Sequence, residues 1–358
     1  MSPKGSVLVA MSGGVDSSVA ACLLAEQGYE VLGSHLRLVH TDGLDHGCCG
    51  PSAESDARAV AERAGFPFEV VDLSATFEER IVADYVADHA AGRTPNPCVR
   101  CNERIKFGAF LDRADALGFD LVATGHYVRS ERAADGSWRL YRGHDVDKDQ
   151  SYVLAGLAQR QLARSRFPVG GMAKEQTRAH ARRFGLPVAD KADSQDLCFV
   201  PPGGGAGFVE ERAPELVRSG EVVDPAGRVL GTHQGVHRFT VGQRRGLGVS
   251  TSERSYVVDV DPEANRVVVG PGSLLARAGL EAEGVSWIAG RPDGPVEAEV
   301  KVRYRGPDVP GVVEPIAPDR AMVRFRAPQR AIAPGQQVAF YAGEEVLGAG
   351  TIARPLRD

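Results

Sequence analysis

A loop near the start of the chain combines residue types that bind phosphate. The apolar run Ser6–Met11 is followed by Ser12, Gly13 and Gly14, and then by a stretch of helical character that starts at Val15. Two glycines let a ligand approach the backbone closely, and successive N–H groups at a helix start form a nest for an anion. The loop lacks the lysine of G-x-x-x-x-G-K-[ST] loops, which reaches the β- and γ-phosphates. The sequence therefore predicts a phosphate-binding loop of another kind.

The residues from Ser12 to Ser18 together have the form of the pyrophosphate-binding loop of ATP pyrophosphatases. These enzymes adenylate a substrate oxygen and release pyrophosphate. The hydroxyls of Ser12, Ser17 and Ser18 add donors for a phosphate. Asp16 is predicted either to help hold Mg²⁺ on the phosphates or to face the positive end of the helix dipole. The simpler alternative for the whole motif is a Gly-Ser turn that caps a helix.

Two cysteines, Cys98 and Cys101, are candidate nucleophiles for an adenylated intermediate. They lie in a proline-stiffened loop that we expect to lead into a helix over Asn102–Leu117. A thiol at a helix start, beside Arg100 and Arg104, ionises more easily and is more nucleophilic. A structural zinc site would need a second cysteine pair at similar spacing, and the sequence has none.

The remaining four cysteines include one further candidate. Cys198 lies near the end of the first half of the chain, and its alternative role is that of a small buried hydrophobic residue. Cys22 is on the apolar side of the first predicted helix and is expected in the core. Cys48 and Cys49 are adjacent in a glycine-rich segment and cannot easily face one site together, so we expect them to be structural or incidental.

Strand-like and helix-like segments alternate around these motifs, which predicts βαβ units and a parallel sheet. The predicted elements are Ser6–Met11, Val15–Gln27, Tyr29–Val39, Ser52–Ala64 with Ser52 as its cap, Phe68–Leu73, Thr76–Ala91, Asn102–Leu117 and Leu121–Thr124. Ligands of open parallel sheets bind at the carboxyl ends of the strands. Met11–Ser18, Leu36 and Thr124–Tyr127 are therefore expected at that edge.

The pattern changes after about residue 200, where Pro201, Pro202 and Gly203–Gly205 interrupt it. Val296–Tyr304 alternates apolar and polar residues, which predicts a strand with one wet face. Further strands are predicted at Val267–Val269, Ala321–Phe325 and Val338–Tyr341, with turns at Pro271-Gly272, Pro310-Gly311 and Pro334-Gly335. The last third is therefore expected to form a small β-barrel or sandwich.

The composition is typical of a globular protein, with 358 residues, 25% charged, 43% hydrophobic and a net charge of −5. It excludes wholesale disorder and a histone-like coat of nucleic acid by bulk charge. No apolar run reaches the ~18 residues of a membrane span and no signal peptide is evident, so we expect a cytoplasmic protein.

Six cysteines in a reducing compartment are expected as thiols or metal ligands. Only six of the 42 Lys and Arg residues are lysines, which suits bidentate phosphate contacts but is equally typical of a high-GC genome.

Taken together, the motifs resemble the tRNA-specific 2-thiouridylases, the MnmA/TrmU family, over nearly the whole chain. Beyond Met11–Ser18, the matching residues are Gly92–Pro97, Cys101-Asn102, Ile105–Phe107, Ala123–Tyr127, Lys148–Tyr152, Phe167–Gly170, Cys198-Phe199, Gly242–Gly248, Arg303-Tyr304, Pro328–Ala331 and Pro334–Gln336. The resemblance implies an α/β fold. It further implies an N-terminal PP-loop domain with a parallel sheet, which is Rossmann-like and similar to adenine-nucleotide alpha-hydrolases. Two smaller β-rich domains are expected to follow, and the last of them is expected to be a β-barrel. The expected domains are residues 1–200, 201–275 and 276–358.

The resemblance also implies an activity, that of a tRNA-uridine 2-sulfurtransferase. In this reaction, which consumes ATP, sulfur replaces the C2 oxygen of the wobble uridine (U34) of tRNAs for Lys, Glu and Gln. This agrees with the chemistry of the base, because a uracil carbonyl oxygen leaves poorly until AMP is attached to it. The resemblance makes Cys101 the nucleophile and Cys198 the persulfide carrier, with a disulfide between them during turnover.

The binding residues are likewise carried over from the resemblance. ATP with Mg²⁺ is expected at Ala10, Met11, Ser12, Gly13, Gly14, Val15, Asp16, Ser17, Ser18, Leu36 and Gly125; the target base at Asn96, Pro97 and Cys98; and tRNA at His126, Lys148, Asp149, Gln150, Arg303, Tyr304 and Gln336. Considered alone, His126 is more typical of a structural histidine, and Arg303 is one cation on the wet face of a strand.

One position departs from the family pattern, because many members have Asp where this chain has Cys98. Three cysteines, Cys98, Cys101 and Cys198, leave two chemistries open. A persulfide route needs two thiols, whereas an iron–sulfur cluster would use all three as ligands and carry the sulfide on its open iron.

Two other functions compete with this interpretation. An amidating or argininosuccinate-type ligase would use the same loop but needs neither a cysteine pair nor an RNA-gripping barrel. A non-catalytic tRNA-binding or sulfur-carrier protein would not need the intact loop. The favoured activity implies a cysteine desulfurase or a sulfur-relay protein as donor, and we expect a monomer.

Overall fold

The computed structural model describes residues 4–40, 50–193, 197–201, 204–249 and 254–356. The chain forms two compact units. Unit 1 comprises Met1–Ile81, Cys98–Pro201 and Glu344–Leu347, and unit 2 comprises Val82–Pro97, Pro202–Gly343 and Gly348–Asp358. Each unit is therefore assembled from separate stretches of the chain.

The strands are β1 (Ser6–Ala10), β2 (Glu30–Arg37), β3 (Phe68–Asp72), β4 (Leu121–Ala123), β5 (Val128–Arg132), β6 (Trp138–Arg142), β7 (Ser165–Arg166), β8 (Gly220–Val223), β9 (Val229–His233), β10 (Ser255–Asp261), β11 (Arg266–Pro271), β12 (Ala276–Trp287), β13 (Val296–Lys301), β14 (Val309–Ala317), β15 (Arg320–Arg330), β16 (Gln337–Ala342) and β17 (Glu345–Leu356). The α-helices are α1 (Val15–Glu26), α2 (Pro51–Ala64), α3 (Ser74–Phe77), α4 (Ala83–Ala90), α5 (Pro97–Cys101), α6 (Phe110–Leu117), α7 (Ser151–Leu154), α8 (Gln159–Ala163), α9 (Lys174–Arg183) and α10 (Gly205–Arg212). Glu78–Val82 and Asn102–Ala109 are π-helical, and Pro214–Leu216, Val236–Arg238 and Gly272–Leu275 are 3₁₀ turns. Within these ranges, no helix combines the length and apolar character needed to cross a bilayer.

Unit 1 contains a parallel sheet in the order β3-β2-β1-β4-β7. β1 lies at its centre, and Val7 is in register with Val31 of β2 and Leu121 of β4. α1 is buried along most of its length and shares one hydrophobic core with β1. A strand paired on both sides and covered by a helix needs a continuous apolar run, as Val7–Val9 provides. The predicted α/β parallel sheet is confirmed.

The predicted start of the second helix is wrong, whereas its predicted end agrees with the structure. α2 starts at Pro51 with Gly50 as its N-cap, so Ser52 lies inside the helix and does not cap it. Proline suits this first position because it has no N–H group to leave unsatisfied. The helix ends at Gly65, whose φ of 77° is a left-handed cap that glycine adopts readily.

The helix predicted over Asn102–Leu117 is the later part of a longer helical stretch. It starts at Pro97, continues through the π-helical Asn102–Ala109 and ends with α6. Cys98 and Cys101 therefore lie within α5, not in a loop before a helix. A proline at the first helical position again accounts for the earlier start.

Unit 2 contains a four-stranded sheet and a barrel. The four-stranded sheet has the order β10-β11-β8-β9. In the barrel β12, β15, β14, β13, β16 and β17 follow one another, and β17 pairs back with β12. Leu280 of β12 thus faces Val323 on one side and Pro355 on the other. The first residues of β17, Glu345–Leu347, belong to unit 1, where Glu345 pairs with β6. Of the two predicted alternatives, barrel or sandwich, the barrel is confirmed.

Two details of the predicted β pattern are wrong. β13 ends at Lys301, so Arg303 and Tyr304 lie in the turn after the strand. The predicted turn at Pro310-Gly311 is instead the start of β14. At Pro310 only β13 pairs, because pairing with β15 begins at Gly311. Proline, which has no N–H to donate, is tolerated at such a strand end.

Candidate active site

The loop between β1 and α1 is held by contacts that require its glycines. Met11 N donates to Ser34 O at 2.8 Å, and His35 Nδ1 lies 3.0 Å from Met11 O, so the loop is tied to β2. Gly13 has a φ of 67°, and a Cβ at this position would lie 2.2 Å from the carbonyl oxygen of Ala53. Only glycine fits here without moving the backbone.

The start of α1 has no side-chain cap, because its N-cap is Gly14. Ser18 Oγ donates to Gly14 O at 2.8 Å, and Ser12 N donates to Ser17 Oγ at 3.1 Å. Since Gly14 has no side chain, the N–H groups of the first helical turn are left for an anion and not for a cap. The loop thus keeps the donors that its sequence pattern predicts for a phosphate.

The two residues predicted to flank the nucleotide lie at the carboxyl ends of the strands on either side of β1. Leu36, near the end of β2, is buried. Gly125 follows β4, and a Cβ on it would lie 2.4 Å from Ser17 N at the start of α1. Gly125 therefore allows a close approach between the segment after β4 and the nucleotide loop.

Asp16, in the first turn of α1, is held by Tyr127 and by Lys174, a residue that no sequence motif indicates. Lys174 Nζ donates to both of its carboxylate oxygens at 2.8 Å. Tyr127 OH donates to Asp16 Oδ1 at 2.8 Å and lies 2.9 Å from Thr177 Oγ1. Burial, followed by the charge of Asp16, raises the pKa of Tyr127, so its hydroxyl remains a donor.

Asp193 belongs to the same cluster of charges. Its carboxylate lies 2.7 Å from Lys174 Nζ, 2.9 Å from Lys148 Nζ and 3.6 Å from Arg178 Nη2. Burial pushes the pKa of Asp193 upward, but the hydrogen bonds and the positive charges of Lys174 and Lys148 together outweigh burial and hold that pKa below its usual value. Lys174 therefore bridges the carboxylates of Asp16 and Asp193.

The cysteine pair lies one helical turn apart in α5, with Cys98 exposed and Cys101 only 7% exposed. Residues three apart share a helix face. The helix widens into the π-helical segment directly after Cys101, a geometry that is frequent at functional sites. Gln161 Nε2 donates to the carbonyl oxygens of Glu103, at 3.0 Å, and Phe107, at 2.8 Å. α8 thus holds the segment that follows Cys101.

Cys198 is half-buried beside Phe199. The ring of Phe199 packs edge-on against the buried Phe77, with centroids 5.5 Å apart. Cys98, Cys101 and Cys198 are all reduced, and there is no disulfide among the residues that the structure describes. The transient disulfide between Cys101 and Cys198 therefore stays a prediction.

An iron–sulfur cluster on Cys98, Cys101 and Cys198 does not fit this structure. Among the described residues, no three His, Cys, Asp or Glu side chains are grouped so that they could hold a metal ion. No step of the reaction is therefore assigned to such a cluster.

Cys22 lies in the core as predicted, and burial raises the pKa of its thiol to about 11, which leaves it unreactive. The predictions for Cys48-Cys49 concern residues outside the described ranges.

His126, a predicted tRNA contact, is only 9% exposed. Its Nδ1 lies 2.7 Å from Thr124 Oγ1, and its ring lies against Phe107 with centroids 6.1 Å apart. Burial, with a smaller contribution from the charge of Lys106, holds the pKa of His126 well below its usual value. Burial thus favours the neutral imidazole, and contact with tRNA stays a prediction.

The other predicted tRNA contacts of unit 1 bind to the protein itself. The Asp149 carboxylate accepts hydrogen bonds from Ser151 N at 3.0 Å and from Ser151 Oγ at 2.8 Å. Gln150 Oε1 accepts a hydrogen bond from Tyr127 N at 2.9 Å. Lys148 belongs to the charge cluster described above. These bonds shape the start of α7, and a role for the three residues in tRNA binding stays a prediction.

In unit 2, the segment that carries two predicted base-pocket residues is bound to a turn of the barrel. Thr94 N donates to Pro334 O at 2.8 Å, and Gln336 Nε2 donates to Thr94 O at 2.8 Å. Asn96, half-buried, and Pro97, buried, follow Thr94 directly. Gln336, a predicted tRNA contact, therefore supports the backbone of the predicted base pocket.

Further basic and aromatic groups of unit 2 are exposed. Arg303 and Tyr304, two predicted tRNA contacts, are both exposed in the turn after β13. An open pocket of about 690 Å³ is lined by Arg244 and Arg254. Arg244 lies in the matching motif Gly242–Gly248, to which no role is assigned from the sequence, and Arg254 lies outside that motif. The pocket that these two arginines share is apparent only in the structure.

Family models match the chain in three consecutive stretches. The tRNA methyl transferase HUP domain matches residues 5–202, the tRNA methyl transferase PRC-barrel domain residues 206–271, and the Aminomethyltransferase beta-barrel domain residues 277–352. The first match alone covers more than half of the chain. Among solved structures, NMN synthetase from Francisella tularensis aligns with 59% of this chain and 78% of its own, with a TM-score of 0.34 and 16% identity. That likeness is too distant to carry a functional argument.

Much closer relatives are found among curated proteins. The tRNA-specific 2-thiouridylase MnmA of Geobacter metallireducens is 49% identical, covering 97% of this chain and 96% of its own. The protein of the same name from Kineococcus radiotolerans is 50% identical, covering 97% and 98%, and that from Acidothermus cellulolyticus is 48% identical, covering 98% of each. With nearly half of all residues shared along almost the full length, the chain belongs to the tRNA-specific 2-thiouridylase (MnmA) family.

Proposed function

We propose that the protein catalyses the ATP-dependent 2-thiolation of the wobble uridine of tRNAs for Lys, Glu and Gln. The C2 oxygen is adenylated with release of pyrophosphate, and sulfur then displaces AMP, so the products are 2-thiouridine, AMP and pyrophosphate. The observation that carries the proposal is the intact, glycine-dependent loop Ser12–Ser18 in a chain of this family.

Two close backbone approaches support ATP binding at this loop. Gly13 packs against the backbone of Ala53 and Gly125 against that of Ser17 so closely that a side chain at either position would clash, and both contacts border the start of α1. We place ATP on Ala10–Ser18, with Leu36 and Gly125 beside the nucleotide. The structure offers no ready-made metal cage among its described residues. Mg²⁺ would therefore arrive bound to the phosphates, whose charge it neutralises. Asp16, the acidic residue of the loop, would help to hold it there.

The sulfur step uses two cysteines. Cys198 receives a persulfide sulfur from a cysteine desulfurase or a sulfur-relay protein. The terminal persulfide sulfur attacks C2, and the C–O bond breaks as AMP leaves with the former carbonyl oxygen. The Cys101 thiolate then attacks Cys198 Sγ, and the electron pair of the broken S–S bond stays on the sulfur attached to C2. A cellular thiol reduces the Cys101–Cys198 disulfide before the next turnover.

The RNA must present the target base outside its anticodon stack, as other base-modifying enzymes require. We place that base against Asn96, Pro97 and Cys98. The barrel would contact the RNA backbone by shape and charge. The proposed tRNA contacts are His126, Lys148, Asp149, Gln150, Arg303, Tyr304 and Gln336.

We further propose that the protein works as a cytoplasmic monomer with domains at residues 1–200, 201–275 and 276–358.

The first test compares two cysteines on one helix. We expect Cys101→Ser to abolish formation of 2-thiouridine, because the disulfide that releases the sulfur cannot form. We expect Cys98→Asp to keep at least about a third of the wild-type rate, because the persulfide route does not use a third thiol. The measurement is nucleoside mass spectrometry of unmodified tRNA-Glu after anaerobic incubation with ATP, Mg²⁺ and a sulfur source.

Each other result has a definite meaning. A wild-type protein that forms no 2-thiouridine with any sulfur source would contradict the proposed function. ATP turnover without tRNA and without Cys101 would instead favour a ligase that acts on a small molecule. Loss of activity in Cys98→Asp would show that the persulfide route with two thiols is incomplete.

A further inference from the structure

The nucleotide loop is surrounded by lysines in a chain that otherwise uses arginine. The chain has only six lysines. Lys191 Nζ donates to Gly13 O at 3.0 Å and contacts Asp56 at 2.5 Å. Lys174 and Lys148 meet at Asp193, and Lys174 also binds Asp16. Two of the six lysines therefore bind residues of a loop that has no lysine of its own, and a third shares Asp193 with one of them.

Lys174 is the most enclosed of these cations. It is the first residue of α9, and its side chain is only 8% exposed. Its Nζ lies 5.8 Å from the centroid of the Tyr127 ring, within the range of a cation–π interaction. A compact ammonium group with three hydrogen-bond donors in this position can bind two carboxylates and can still exchange one of them for another anion.

The cluster presents a problem for a polyanionic ligand. Asp16 lies inside the loop and Asp193 lies beside it, so two carboxylates border the region that must accept the phosphates of ATP. Lys174 is the cation that contacts both. Without it, two negative charges would repel the ligand. Asp193 also retains Lys148 and Arg178, so it can release Lys174 without being left unpaired.

We propose that Lys174 is the polyphosphate-binding cation of the nucleotide loop, which keeps Asp16 as a partner and exchanges Asp193 for an oxygen of the pyrophosphate part of ATP. Lys174 thereby supplies, from α9, the charge that a P-loop lysine supplies from within its own loop. The inference rests on the proposed use of ATP, and it assigns the recognition of pyrophosphate to a residue outside the motif.

Two variants are expected to act in opposite directions. Lys174→Met removes the cation and leaves both carboxylates, so we expect the affinity for ATP and for inorganic pyrophosphate to fall about tenfold or more. The affinity for AMP, which lacks the pyrophosphate part, should change less than about twofold. Asp193→Asn removes the carboxylate that competes for Lys174, so we expect pyrophosphate to bind about two- to fivefold more tightly. A purely structural disturbance would weaken binding in both variants.

The experiment is isothermal titration calorimetry of the full chain with Mg²⁺ and, separately, ATP, AMP and inorganic pyrophosphate. Lys301→Met, a lysine on β13 of unit 2, is the matched control and should bind all three ligands like the wild type. Equal pyrophosphate affinity in Lys174→Met and wild type would overturn the inference. So would an equal loss for all three ligands, or weaker pyrophosphate binding in Asp193→Asn.

Failure of this inference is distinguishable from failure of the proposed function. A wild-type protein that binds neither ATP nor pyrophosphate would overturn both. Wild-type binding with the predicted pattern of variants, but without 2-thiouridine formation, would support Lys174 and contradict only the thiolation reaction.

Discussion

At the scale of single residues, the candidate site depends on positions where a side chain is missing. Gly125 brings the segment after β4 so close to α1 that a Cβ would lie 2.4 Å from Ser17 N. Backbone atoms cannot rotate away as the end of a flexible side chain can. Any side chain at Gly125 must therefore displace either its own segment or the first turn of α1, which carries the nucleotide loop.

This contact leads to a prediction for Gly125→Ala. We expect the affinity for ATP to fall about tenfold and the free energy of unfolding to fall by about 1–3 kcal/mol, because the methyl group overpacks the start of α1. Titration with ATP and thermal unfolding measure the two effects.

The matched control is Gly171→Ala, since no heavy atom beyond its two chain neighbours lies within 4 Å of the Cβ that this change adds. It should leave ATP affinity unaltered. Wild-type affinity in Gly125→Ala would show that the close approach does not position the nucleotide.

At the scale of elements, the π-helical Asn102–Ala109 is the unusual feature of the site. A π-helix leaves its carbonyl oxygens without the regular α-helical partners, and Gln161 of α8 supplies two hydrogen bonds there, to Glu103 O and Phe107 O. Asn102, directly after Cys101, donates from Nδ2 to Val153 O at 3.1 Å. The position of Cys101, the proposed nucleophile, therefore depends on α7 and α8 as well as on its own helix.

We expect Gln161→Ala to lower the free energy of unfolding by about 1–3 kcal/mol, because two carbonyl oxygens lose their donor. We also expect the rate of 2-thiouridine formation to fall while ATP affinity stays unchanged, because the nucleotide loop is not touched. Urea denaturation and single-turnover thiolation measure these quantities.

Arg160→Ala, on the exposed face of the same helix, is the control and should lower stability by less than about 1 kcal/mol. A Gln161→Ala protein with wild-type stability and rate would show that the π-helix does not need this support.

At the scale of the whole molecule, the two units carry different parts of the proposed reaction. Unit 1 contains the nucleotide loop and the three candidate cysteines, whereas unit 2 contains the barrel with Arg303 and Tyr304 exposed. The net charge of −5 means that RNA cannot be held by bulk charge, so individual cations must act locally. Arg303 is therefore expected to bind a phosphate and not to recognise a base.

We expect Arg303→Ala to weaken tRNA binding about three- to tenfold and to reduce the slope of log affinity against log salt by about 0.7–0.9. ATP affinity should not change. The measurement is tRNA binding by fluorescence anisotropy across a series of salt concentrations.

Arg326→Ala is the control, because Arg326 of β15 is paired with Glu297. If both variants bind tRNA with the wild-type salt slope, Arg303 does not contact the RNA backbone.

The agreement between sequence and structure differs among elements for physical reasons. β1 and α1 were predictable because a buried parallel strand and a glycine-rich turn both leave strong local patterns. The start of α5 is not predicted, because Pro97 is typical of a loop, although proline is equally suited to a first helical turn. Pro310-Gly311 predicts a turn, because nothing in the local sequence indicates that the pairing of β14 with β15 stops just before Pro310.

The sequence by itself determined the parallel sheet and the family, and it singled out the glycine-rich loop and the candidate cysteines, because each of these leaves motifs of residues close together in the chain. Only the tertiary structure decided that Lys174 binds Asp16, 158 residues away, and that Asp193 joins them. It also showed that Cys98, Cys101 and Cys198 do not form a metal site among the described residues. An ion pair or a ligand set depends on distances of a few ångströms between distant segments, and no local pattern encodes such distances.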